Sequence, residues 1–255
     1  MPASDLYKHF QYISNIEQIA ERHGMTIEVS SDFDEFRRIR SSQAKRPPIS
    51  PIFDSKVCEI NGDNGFWIKG TSEAGELVHI QAVRLEDLTD ITLGEHLHRC
   101  REIYAPPGVA VDLEHSQFCA TPSSRVISGK VCYHGELWLK GGPGGYRGHG
   151  LTAALPRLAL ALAHLTWSPD FMFGLVHPMA ACKGLPAREG YMHLEPGGIL
   201  WQRSDLEEIY DEWLVWMSHN DLQYLMQFAP MALYDQLEAK TKGSGAFASR
   251  VQVAA

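Results

Sequence analysis

Apolar residues recur at helical spacing near the start of the chain, at Leu6, Phe10, Ile13 and Ala20, and Gly24 follows where a helix C′ glycine belongs. The pattern predicts a helix from Ser4 to Arg22 and a short strand from about Met25 to Val29. Ser31 and Asp34 form a capping-box-like start, with aspartate in the glutamate position, to a second helix carrying Phe33, Phe36 and Ile39. Prolines crowd the run Lys45 to Phe53 (KRPPISPIF). Each one removes an amide donor and fixes φ, so the run is a long ordered loop or a lid. Gly65 to Gly70 and Glu76 to Val83 are β-rich and flank a polar, glycine-containing turn, which reads as a hairpin.

Further along, Asp90 to Tyr104 fits no single period and ends at Pro106, Pro107 and Gly108. Strand character returns from Val126 to Leu139, with a break at Ser128 and Gly129. Leu151 to Leu165 (LTAALPRLALALAHL) is a helix apolar all round, hence packed inside a domain. Phe171 to His177 is a short buried strand, Pro178 to Gly190 turn and helix, and Met192 to Gln202 strand again. Asp205 to Lys240 reads as helical through Leu206, Ile209, Trp213, Trp216, Leu222, Leu225, Met226, Leu233 and Leu237. The order predicts an α/β or α+β protein with a mixed sheet. Its core spans 25–202, with an N-terminal helix over 1–24, a C-terminal helical extension over 203–240 and a flexible tail over 241–255.

The chemistry concentrates in Glu136 to Thr152, ELWLKGGPGGYRGHGLT. A strand runs into a glycine-rich turn and a helix opens directly after it. Glycine permits positive φ and close approach of the backbone, and a helix start presents unpaired N–H groups at a positive dipole end. That combination suits a phosphate or pyrophosphate, although the same loop would also serve as a plain turn. Glu136 is a candidate general base if burial raises its pKa. His134 shares its face in an unbulged strand, and His177, ending the next core strand, is the alternative acid or base.

Composition narrows the picture. At 255 residues, 44% hydrophobic and 21% charged, the chain can bury a core. A net charge of −8 argues against binding a nucleic-acid backbone over a broad surface. The five cysteines have no close pairing, as expected of reduced thiols in a cytoplasmic protein. Cys182 could act as an acid or a nucleophile, but a small buried thiol is its plainer state. The longest apolar stretch, Leu158 to Leu165, is too short to span a bilayer, so no membrane partner is expected. Glu95, His96, His98 and Cys100 lack a second cluster at supporting spacing, so no metal is expected. The aromatics and methionines between Trp213 and Met226 suit helix packing or a homodimer face. Phe53, Trp67, Trp138 and Trp201 suit the core better than a ligand pocket.

Arg147-Gly148-His149-Gly150-Leu151-Thr152 resembles the Gln/Arg-x-x-Gly-x-Gly/Ala signature of the GCN5-related N-acetyltransferases (GNAT). Ala180 to Tyr191 (AACKGLPAREGY) resembles that family's helix ending in Gly-Phe, with Tyr191 at the aromatic position. The resemblance spans about residues 25–202 and implies a mixed sheet splayed between its fourth and fifth strands, with acyl-CoA in the opening. It implies acetyl-CoA or another acyl-CoA as co-substrate and a small-molecule or peptide amine as acceptor. Pyrophosphate would fall to Arg147, Gly148, His149, Gly150, Leu151 and Thr152, and the thioester carbonyl to a backbone N–H near Leu137, Trp138 or Leu139. Glu136 matches the base of some members. Thr152 departs from the usual small residue, and Pro186 stands where many members carry a tyrosine acid for the departing thiolate. An acyl-carrier-protein-dependent synthase of the same fold and a non-catalytic nucleotide-binding sensor are the alternatives.

Overall fold

The computed structural model describes residues 3–118, 121–228, 230, 234 and 235. Its strands are β1 (Met25–Ser30), β2 (Gly65–Ser72), β3 (Leu77–Leu88), β4 (Val111–Gln117), β5 (Gly129–Leu139), β6 (Phe171–Val176), β7 (His193–Arg203) and β8 (Ile209–Ser218). They form one mixed sheet in the order β1-β2-β3-β5-β6-β8-β7-β4. Only β5 and β6 run parallel, as the intervening helix α5 (Leu151–Trp167) requires.

Two apolar layers cover the sheet. On one face α5 packs with α1 (Ala3–Glu21) over Ile68, Val83, Cys132, Met172 and Val215. The seam of α1 is Tyr12, Ile16, Ile19 and Ala20, whereas the expected Leu6 and Phe10 are exposed. The helix carries two apolar stripes, and the one continuing into its C-terminal half meets α5. On the other face α2 (Phe33–Ser42) and the proline loop pack over Trp67, Ile80 and Phe173. Asp32, one residue beyond the expected Ser31, caps α2 by accepting from the Glu35 amide at 2.9 Å.

The connection from β3 to β5 shapes this second face. These strands are antiparallel neighbours that a tight turn could join. Instead the chain forms α3 (Leu93–Arg99) and α4 (Arg101–Tyr104), then pairs β4 with β7 at the far edge. On the way Leu93, Leu97, Tyr104 and Phe118 pack into the layer holding Phe173, Trp201 and Leu214. The crossover is therefore a strap over the sheet.

The C-terminal expectation needs correction. Residues from Ile209 form β8, antiparallel to both β6 and β7, and helix α8 (His219–Leu225) follows only then. Leu214 and Trp216 pack on the strap face while Val215 and Met217 pack on the α5 face, a period of two that Trp213 and Trp216 disguised as helical. The sheet thus continues past residue 202. Leu233, Leu237 and the tail over 241–255 lie outside the described residues. No described helix is long and apolar enough to cross a membrane.

Candidate active site

A bulge in β5 sets the geometry. Gly135 pairs with Ala82 and Trp138 with Ile80, so Glu136 and Leu137 together oppose Gln81. Glu136 has φ of +56°, a conformation a glutamate adopts only when its surroundings enforce it. The extra residue turns Glu136 onto the α2 face, away from His134. Its carboxylate accepts from Arg40 Nε at 2.6 Å, Arg46 Nη2 at 3.2 Å and the Ser50 amide at 2.7 Å. The Glu136 side chain is 3% exposed. These partners enforce the bulge and tie the proline loop to the sheet. They take three of the carboxylate's acceptor sites, so the residue expected as a general base is held as the partner of two arginines.

His134 lies on the opposite face. Gln81 Nε2 donates to the Leu155 carbonyl, which turns Gln81 Oε1 toward His134 Nε2 at 3.0 Å. Nε2 therefore carries the hydrogen, and Nδ1 accepts from the Tyr191 hydroxyl at 3.1 Å. Burial pushes the His134 pKa down to about 4. Both ring nitrogens are committed and the ring is neutral, so it braces α5 and Tyr191. His177 is exposed, and its Nδ1 accepts from the Met179 amide at 3.1 Å, capping α6 (Pro178–Cys182). That leaves Nε2 as a donor at the rim.

Beyond the bulge the sheet opens. β5 and β6 pair only over Val131–Tyr133 and Phe171–Phe173. Their continuations, Gly135–Leu137 and Gly174–His177, line a cavity of about 320 Å³ with Arg46, Ile103, Tyr104, Pro106 and Glu212. Burial raises the Glu212 pKa to about 7, although Trp201 Nε1 donates to Oε2 at 2.7 Å. The strap and the proline loop form the outer wall.

A second cavity, about 890 Å³, lies at the ends of β5 and α5. Leu137, Trp138 and Leu139, expected at a thioester carbonyl, and Arg147, Gly148, Gly150, Leu151 and Thr152, expected at a pyrophosphate, line it. Gly148 and Gly150 have φ of +92° and +77°. The amides of Gly145 and Tyr146 pair with Gly142 and Lys140 carbonyls, but those from Arg147 to Thr152 meet no acceptor among the described residues. Arg147 Nε donates to the Leu139 carbonyl at 2.8 Å and folds the loop against the strand end. His149 does not line the cavity, and its ring sits 5.5 Å from that of His23.

Four further ionisable residues line the large cavity, and none stood out in the sequence. Lys183 and Arg188 add cations, and Glu189 is the one acid in the lining. Burial lifts the Glu189 pKa to about 8. His79 donates from Nδ1 to the Trp138 carbonyl at 2.8 Å, while its buried Nε2 has no partner among the described residues. The spacing of Lys183, Arg188 and Glu189 is that of an ordinary charged helix, so only the return of α7 (Leu185–Glu189) to the β5 end reveals them. Pro186 is buried in α7. Cys182, expected buried, is exposed and lines neither cavity. Phe53, Trp67 and Trp201 are core, whereas Trp138 lines the large cavity with Arg46 stacked 5.3 Å from its ring. Glu95 closes a capping box with Thr92, and His96 bonds Tyr104, so each has a structural partner.

No family model and no curated protein matches the sequence. Solved structures that align with it include aminoglycoside acetyltransferase AAC(6′)-Ib in complex with coenzyme A and kanamycin, at 10% identity and a TM-score of 0.42 over 78% of this chain and 98% of that one. Spermidine N-acetyltransferase from Vibrio cholerae aligns at 9% identity and 0.43, over 77% and 95%. FeeM, an N-acyl amino acid synthase from uncultured soil microbes, aligns at 11% and 0.41, over 77% and 92%.

Proposed function

We propose that this chain is an acyl-CoA-dependent N-acyltransferase that passes an acetyl group from acetyl-CoA to a primary amine by direct attack in a ternary complex. One observation carries the reading. Parallel strands part beyond a short paired stretch, and the gap joins a cation-lined, amide-rich cavity on one side to a smaller cavity on the other. A donor with a polyanionic handle and an acceptor entering from the opposite side need that layout.

The fit to the donor rests on the unpaired amides from Gly148 to Thr152 and on Arg147, Lys183 and Arg188, which together would hold a pyrophosphate. A volume of about 890 Å³ falls within the range of ligand pockets, about 300–1,000 Å³. The coenzyme supplies an activated acyl group as a thioester. Leu137, at the bulge, offers its backbone N–H as the group that polarises the carbonyl. On the acceptor side Glu212 takes the base role first read into Glu136. With its pKa at about 7, it is ionised enough at neutral pH to attract an ammonium group and protonatable enough to receive its proton.

The test measures thiol release from acetyl-CoA with spermidine, kanamycin and glycine as amine probes. Amine-dependent release with acetylated product is expected. Tight coenzyme binding with no release for any probe would make the chain a binding module instead.

A further inference from the structure

Resting on the acyltransferase reading, we propose that Glu189 is the catalytic acid that protonates the departing thiolate. Leu137, Leu185 and Glu189 are the residues that line both cavities, and Glu189 alone among them can transfer a proton. The thioester must sit where the cavities meet, because the coenzyme fills the larger and the amine attacks from the smaller. The group at that junction is the one within reach of sulfur.

The other titratable groups near the gap are committed or misplaced. Glu136 is held by two arginines and an amide. Tyr191 donates to His134, and Tyr133 lines only the acceptor cavity. Cys182 lines neither. Glu189 itself is buried and has no hydrogen-bond or ion-pair partner among the described residues. It ends α7, which Gly190 closes at φ of +110°.

The step balances as follows. The amine, its ammonium proton already passed by way of Glu212 to solvent, forms a bond from nitrogen to the carbonyl carbon, and its surplus proton passes to Glu212. The carbon–sulfur bond breaks, and the Glu189 hydroxyl gives its proton to sulfur. Exchange with solvent returns the proton from Glu212 to Glu189, leaving amide and free thiol. Glu189 suits the role because its apolar setting raises its pKa to about 8, so it carries the proton at neutral pH. Arg188 on its own helix works weakly against that shift. Arg147, Lys183, Arg188 and His79 share the donor cavity with it, and Arg40, Arg46, Tyr104, Tyr133, His134, Glu136, His177, Tyr191 and Glu212 share the acceptor cavity.

Since the working form is protonated, its contribution falls as pH rises through about 8. The variant Glu189→Gln keeps the shape of the neutral acid and is expected to fold and to bind CoA like wild type. Its kcat for thiol release from acetyl-CoA, with whichever of spermidine, kanamycin or glycine reacts, is expected to fall about 100-fold. The decline of kcat above pH 8 is expected to vanish with it. Glu189→Asp keeps an ionisable group and is expected to retain that decline at a reduced rate. A wild-type kcat and pH profile in Glu189→Gln would overturn the assignment while leaving the transferase intact. A wild-type protein that releases no thiol with any amine would overturn both, so the two failures are distinguishable.

Discussion

Glu136 and Glu189 are both buried carboxyls close to the gap, and their surroundings give them opposite tasks. Glu136 has two arginines and an amide pointed at it and holds a strained backbone and a loop in place. Glu189 has no such partner and keeps its proton. Removing Glu136 leaves the Arg40 guanidinium, 2% exposed, without its counter-charge. Breaking a buried pair in this way costs about 3–5 kcal/mol. Urea denaturation of Glu136→Ala is expected to report a loss of that size, and a loss below about 1 kcal/mol would return Glu136 to the list of candidate bases. The sequence placed Glu136 on the right strand but not on the right face. A bulge inverts the alternation, and its cause lies in Arg40, Arg46 and Ser50, far upstream in the chain.

At the level of elements, the loop between β5 and α5 was legible because its signals are local. Glycine spacing, a strand before it and an apolar helix after it predicted both the turn and the free amides. Gly148 has open space where a side chain would go, but its φ of +92° disfavours any residue with a Cβ. A glutamate there adds backbone strain and a negative charge among the amides that would grip phosphate, so Gly148→Glu is expected to lose coenzyme binding while remaining folded. Elements whose signals are not local were misread. β8 reads as helix because Trp213 and Trp216 stand three apart, whereas its burial alternates with a period of two. β4 (VDLEHSQ) carries no strand pattern of its own, being short and polar, and it exists through its pairing with β7.

The molecule as a whole joins two half-sites that no single segment contains. The larger cavity, proposed for the donor, belongs to β5, α5 and α7. The smaller, proposed for the acceptor, is walled by the proline loop and by the strap between β3 and β5. This separation predicts separable effects. Ile103→Ala, in the strap, is expected to raise or lower KM among amine acceptors with the CoA Kd unchanged, and a parallel change in CoA affinity would show that the halves are not independent. The sequence indicated the fold through the order of its elements but could not show the acceptor wall, because a long connection between neighbouring strands leaves no pattern of its own. The most direct measurement is a calorimetric titration of CoA into the wild-type chain and into Gly148→Glu. One saturable site is expected in the wild type and none in the variant. No binding to the wild type, or equal binding to both, would contradict it.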